Sequence, residues 1–141
     1  MTNINELAQE VVEEFEMFDE WMDKYEHIIS MGKDLDVIGE EFKTDDYLVK
    51  GCQSRVWLTS SIEGNNVVFK ADSDAVIAKG IIALLIRVMS NHPAEEIANA
   101  DLSFIDNIGL KEHLSPNRSN GLVSMLKQMK MYAVAHMAQK N

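Results

Sequence analysis

Cysteine is nearly absent from this chain: Cys52 is the only one among 141 residues. A single thiol excludes an intrachain disulfide framework, a dithiol redox pair and a Cys-x-x-Cys metal site, and it fits a reducing, cytoplasmic compartment. Positive charge is scarce too. Thirteen Lys plus Arg face 23 Asp plus Glu, leaving a formal net charge of -10, so phosphate backbones and anionic lipid are repelled and neither nucleic acid nor membrane is an expected partner. Long apolar runs are missing. The greasiest stretch, Ala75 to Met89, is interrupted by Lys79 and Arg87 and falls short of the roughly 20 apolar residues a bilayer span needs. Met1 to Glu10 has neither the basic cluster nor the apolar segment of a signal peptide, and a soluble chain is expected.

Metal and nucleotide chemistry lack their signatures as well. His27, His92, His113 and His136 lie far apart, with no His-Glu-x-x-His spacing, and none of the seven glycines builds a Gly-rich phosphate loop. What the chain has is a core: 46% of its residues are hydrophobic, enough for one globular domain spanning residues 1–141.

Ile4, Leu7, Val11, Phe15, Phe18 and Met22 step by three or four residues between glutamates, which predicts an amphipathic helix over Asn5 to Glu16. A second is expected over Glu20 to Met31, with Gly32 as its C-terminal stop. Lys33 to Lys50 loses periodicity and becomes acidic, a connection of the length that is often functional, ending in a candidate short strand at Tyr47 to Val49. Arg55 to Ile62 and Val67 to Ala71 are β-prone and separated by Gly64, Asn65 and neighbours, the pattern of a hairpin. Asp72, Ser73 and Asp74 are candidate caps for an apolar helix over Ala75 to Ser90. Pro93 to Ala98 predicts a short helix, and short turns follow to Leu114. A last helix opens at Ser115 with Pro116 in its first turn, or at Ser119, and Leu122, Met125, Leu126, Met129, Ala133 and Met137 stripe it. Helices flanking one meander predict an α+β fold with helices packed on one face of a small antiparallel sheet.

The setting of Cys52 is unusual for a buried cysteine. Lys50, Gly51, Gln53, Ser54 and Arg55 surround it, a turn composition in which Gly51 permits backbone angles closed to other residues. Two cations near a thiol favour the nucleophilic thiolate. Cys52 is therefore either a reactive thiol or a small core residue. A Cys/His hydrolase needs a histidine brought near in space, with His113 and His27 as candidates. Transfer of a group to and from one sulfur needs only the one thiol, and the cysteine count favours such a carrier.

Three blocks carry a family resemblance: LVKGCQSRVWL at Leu48 to Leu58, DSDAVIAKG at Asp72 to Gly80, and IGLKEHLSPNRSNGL at Ile108 to Leu122. In order and spacing they resemble the SufE-like proteins, the group that includes SufE and CsdE. The resemblance implies a fold similar to IscU-type scaffolds and a sulfur-transfer role in iron–sulfur cluster assembly. It implies that Cys52 accepts persulfide sulfur from a SufS- or CsdA-type cysteine desulfurase, stimulates that enzyme and passes sulfur to an iron–sulfur scaffold. Pyridoxal phosphate would belong to the desulfurase, leaving this chain without a cofactor or metal of its own. The alternative is a regulator that binds the desulfurase without carrying sulfur. Gly51, Gln53, Ser54 and Arg55 are expected to support the thiol loop. Asp74 is expected either to cap its helix or to restrain the loop or meet a partner, and Arg118 either to lie near the thiol or docking surface or to pair with a carboxylate. A monomer and a homodimer are both compatible with the sequence.

Overall fold

The computed structural model describes residues 3–139. The chain opens with two helices, α1 (Ile4–Glu16) and α2 (Trp21–Lys33). Asn3 starts the first one by accepting a hydrogen bond from the Glu6 N–H, as an N-cap asparagine should. A hairpin follows, β1 (Val56–Glu63) and β2 (Asn66–Ser73), then α3 (Val76–Met89), the two-residue β3 (His92–Pro93), three short helices α4 (Ala94–Ala98), α5 (Phe104–Ile108) and α6 (Leu110–His113), and the long α7 (Pro116–Gln139). The sheet is antiparallel in the order β1-β2-β3. The architecture is α+β, as the patterning predicts.

Register follows from the hairpin turn. Glu63 pairs with Asn66 across Gly64 and Asn65. Of these two turn residues Gly64 alone has positive φ, at 64°, the pattern of a type II′ turn. That register puts Leu58 beside Ala71 and Phe69 beside Ser60 on the face toward α3. Leu58, Val67, Phe69 and Ala71 are buried there against a helix whose Ile81, Ile82, Leu84, Leu85, Val88 and Met89 are buried too.

The second helix runs past its expected stop. Gly32 lies inside α2, and its role is close approach: a Cβ there would sit 2.8 Å from the Gly80 nitrogen on α3, and a Cβ on Gly80 would collide with the Ile28 carbonyl. The two glycines let α2 and α3 cross backbone to backbone. Gly32 is thus a packing residue and not a C-cap.

The helix caps expected at Asp72, Ser73 and Asp74 are absent. Ala75 occupies the N-cap position of α3 with no side-chain cap bond. Ser73 Oγ instead donates to the Arg55 carbonyl at 2.7 Å and Asp74 Oδ1 accepts from the Arg55 N–H at 3.1 Å. Asp72 is 7% exposed and paired with Lys43 at 2.8 Å and Lys79 at 3.4 Å. A buried carboxylate needs such partners. Asp72 and Ser73 still meet the start of α3, through Lys79 and the Ala75 N–H at 3.2 Å, but β2 runs on to Ser73 and none of the three occupies the N-cap position.

The acidic connection before the hairpin is a strap over the sheet's other face. It carries two 3₁₀ turns, Glu40–Phe42 and Asp45–Tyr47. Val37 bridges to Ala71 on β2, and Leu48 bridges to Trp57 on β1. Between these ends Lys43 lies over the Trp57 ring at 5.9 Å while it pairs with Asp72. The strand expected at Tyr47 to Val49 is this single bridge plus one bond, Val49 N–H to Val56 O at 2.8 Å.

The third strand had no signal in the sequence. Asn91 adopts φ 67° after α3 and donates to the Val67 carbonyl at 2.7 Å, so His92 and Pro93 fall beside β2. A two-residue strand has no periodicity to detect. At the last helix the expectation holds: Ser115 Oγ accepts from the Arg118 N–H at 3.3 Å, with Pro116 opening the helix.

Glu14 joins three helices by accepting from Arg87 at 2.6 Å and from His27 at 3.0 Å. Burial pushes the Glu14 carboxyl up, but these two hydrogen bonds outweigh it and hold its pKa below the ordinary 4.5. Its stabilisation is therefore complete above that value and is lost as pH falls through the lower folded pKa. Urea midpoints across that acidic range should fall less steeply in Glu14→Gln than in the parent; parallel curves would contradict this ion-pair assignment. Gly80→Ala should lower stability by about 1–3 kcal/mol by overpacking the α2–α3 crossing, read from the same urea midpoints.

Candidate functional site

Cys52 lies halfway along a loop whose two ends are pinned together. The Val49–Val56 bond closes the neck. On the β1 side the N–H of Arg55 is held by Asp74 Oδ1, and its carbonyl accepts from Ser73 Oγ and from the Asp74 N–H at 3.2 Å. Residues 50–54 arch over α7 from this base. The arch needs Gly51, which has φ 98° and lies so near α7 that a Cβ would collide with Ser124 Oγ. An L-residue is strained at that φ even without the collision.

The thiol is half-buried and packs against the core. Its sulfur is 3.6 Å from the Gly121 carbonyl, to which the S–H donates. Gly121 leaves room for it: a Cβ there would stand 3.3 Å from the sulfur. A glycine inside a helix costs about 1 kcal/mol relative to alanine, so its presence in α7 marks a close approach.

Beside the sulfur opens a cavity of about 410 Å³. Its apolar wall comes from Ala75, Ala78 and Ile81 of the α3 end together with Met125 of α7, and its polar rim includes Gln53, Ser54, Asn117 and Arg118. The start of α3 and the start of α7 thus meet at the thiol.

The structure gathers the sequence candidates unevenly. Cys52, Gln53, Ser54 and Arg118 line the cavity, whereas Arg55 and Asp74 form the pinned base of the loop. Arg118 is exposed, with its guanidinium 6.0 Å from the Tyr25 ring. It shares the lining of one cavity with Cys52. Sequence reasoning missed Gly121, Asn117 and the α3 residues. Gly121 alone carried a signal, as a glycine within a helical stripe.

Thiol activation by Lys50 and Arg55 is corrected by the geometry. Burial pushes the Cys52 thiol above its ordinary value of 9.0, with no opposing influence from a cation. Lys50 and Arg55 are exposed, while the sulfur faces inward and donates to Gly121 on α7. His27, a hydrolase candidate, is committed to Glu14, and His113 stacks on Trp21 at 4.5 Å.

Residues 9–133 match the model of the SufE family, described as an Fe-S metabolism associated domain. The chain belongs to the SufE family. Over 127 residues it is 42% identical to the SufE-like protein 1, chloroplastic/mitochondrial, of Arabidopsis thaliana, a match that covers 89% of this chain but 34% of the plant protein. An uncharacterized SufE-like protein of Rhizobium etli is 39% identical over 126 residues, covering 86% of this chain and 85% of its own length. One from Synechocystis is 35% identical, with 89% and 79% covered. The solution structure of a hypothetical protein from Thermus thermophilus has the same fold, with TM-score 0.78 at 16% identity over 94% of this chain and 96% of that one. A role in iron–sulfur metabolism follows from SufE membership. Among the described residues no helix is long and apolar enough to cross a membrane.

The sheltered thiol makes a direct expectation. The rate of Cys52 alkylation by iodoacetamide should rise with pH to a midpoint above that of the urea-unfolded chain, because burial disfavours the thiolate. A midpoint at or below the unfolded one would show a cation-activated thiol instead.

Proposed function

We propose that this SufE protein is a sulfur carrier that takes sulfane sulfur from a cysteine desulfurase onto Cys52, stimulates that enzyme by clearing its active-site sulfur, and delivers the sulfur to an iron–sulfur scaffold. One observation carries this reading: the chain's single thiol stands half-buried at the wall of a cavity large enough to shelter an added atom. The family's place in iron–sulfur metabolism supports it.

The chemistry is that of thiol–disulfide exchange. Cys52 loses its proton to solvent or to a base at the donor, and the thiolate attacks the terminal sulfur of the donor's persulfide. A new S–S bond forms to Cys52 as the donor's own S–S bond breaks and its cysteine leaves as thiolate. No net oxidation or reduction occurs. Delivery to the scaffold repeats the exchange with Cys52 as leaving group. This chain needs no cofactor of its own, and pyridoxal phosphate belongs to the desulfurase. A reducing cytoplasm keeps the lone thiol free between cycles.

Burial serves and opposes the reaction. It shields a persulfide from reductants, yet it raises the thiol's pKa and turns the sulfur away from solvent. The loop must therefore open when the donor docks. Gly51 supplies the pivot, Gln53 and Ser54 move with the thiol, and the Arg55–Asp74 base stays fixed. Arg118 at the cavity rim faces the space where the persulfide anion would rest.

After incubation with a desulfurase and cysteine, the parent protein should gain about 32 Da, one sulfur atom as persulfide, and Cys52→Ser should gain none while keeping its fold. Sulfur on the serine variant would overturn the acceptor assignment. Full stimulation of the desulfurase by that variant would favour a regulator that carries no sulfur.

A further inference from the structure

Charge is distributed unevenly over this acidic protein. The thiol loop, residues 50–55, and α7 together carry Lys50, Arg55, Arg118, Lys127 and Lys130, and none of the chain's 23 Asp and Glu residues. Lys130 is engaged, donating to the Ala100 carbonyl at 3.1 Å. The other four are exposed. Among the described residues, the Lys and Arg ion pairs are made by Lys43, Lys79 and Arg87 instead. Nor do the four activate the thiol, whose pKa is governed by burial alone. Of the four side chains, only Arg118 lines the cavity beside the thiol.

A second feature adjoins them. Lys127, Met131 and Val134 follow at i, i+4 and i+7 along the outer side of α7, and Met131 and Val134 are 64% and 54% exposed. The stripe begins at the thiol loop. Ser124, two turns before Met131 on the same side of the helix, is the residue against which Gly51 packs. One exposed cation, Lys127, and an exposed apolar pair therefore run down the side of α7 that meets the thiol loop at Ser124, while Arg118, two and a half turns before Lys127, stands on the cavity side.

We propose that the thiol loop and the outer stripe of α7 form one docking surface for a protein partner whose contact face is rich in carboxylates around its sulfur donor, with an apolar patch that covers Met131 and Val134. This deepens the sulfur-acceptor reading above and rests on it. Charge complementarity argues for that occupant. A carboxylate-rich partner is repelled by the rest of this chain and attracted by this face, so long-range fields orient the encounter with the thiol foremost. The same asymmetry rejects docking in other orientations. A second copy of the chain also presents acidic surface, but seated here it would cover the loop and close the cavity to any donor.

The test is a double variant, Lys127→Glu with Met131→Asp, both at solvent-facing positions. Sulfur loading is followed by intact mass with two donors: a cysteine desulfurase supplied with cysteine, and low-mass cysteine persulfide alone. At sub-saturating desulfurase the variant should load about tenfold more slowly than the parent. Raising salt above about 0.1 M should slow the parent toward the variant, as screening over about 10 Å removes the steering. Loading from cysteine persulfide should be equal in both, which also shows the variant folded with an intact thiol. Equal loading from the desulfurase would overturn the surface. A parent that sediments as a dimer and a variant that sediments as a monomer would assign the face to a second copy and overturn it too. A parent that never gains sulfur from the desulfurase, yet gains it from cysteine persulfide, overturns the acceptor reading itself.

Discussion

The need to keep α3 out of water organises the molecule. Nine of its fourteen residues are buried, and each fully buried Leu, Ile, Val or Met contributes about 1.5–3 kcal/mol relative to exposure. No single neighbour can cover a helix that is apolar on nearly every side. The sheet covers one side, α2 approaches through Gly32 and Gly80, and α1 and α7 close the remainder. The site is a by-product of that burial. Because α3 starts at the sheet end where the thiol loop is pinned, its first turns become the apolar wall of the cavity beside Cys52.

The sulfur sits where two requirements conflict. Shelter wants low dielectric and close packing, and the pocket between α3 and α7 supplies both. Nucleophilicity wants a thiolate, which the same environment disfavours. The fold leaves this conflict unresolved at rest and fastens the thiol loosely, through one weak S–H bond to Gly121, while it fastens the loop's base tightly through Arg55, Ser73 and Asp74. The strong bonds lie at the loop's base and the weak one at its tip. The cations flanking Cys52 in sequence belong to the outer surface.

Much of the fold was legible because it rests on local signals. The 3.6-residue stripes of α1 and α7, the near-continuous apolar run of α3 and the Gly-Asn turn of the hairpin are local features of the chain. So is the Ser115–Pro116 start of α7. Three readings failed where a residue's partner lies far along the chain. Gly32 suggests a helix end but serves a crossing with Gly80. Asp72 to Asp74 look like caps for the next helix, yet they serve Lys43 and Arg55. His92 and Pro93 become a strand only through the Val67 edge.

The candidate site divides the same way. By itself the sequence determined that one thiol is available, that it sits on a glycine-containing loop before a hairpin, and that the family blocks surround it. A count and a local composition suffice for that. Only the tertiary structure decided that the sulfur turns inward onto Gly121, that Arg118 reaches the same cavity from another helix, and that burial pushes the thiol's pKa up. Burial and electrostatic distance are properties of three dimensions, and a charge two residues away in sequence acts on a thiol only when the backbone brings the two groups to one side.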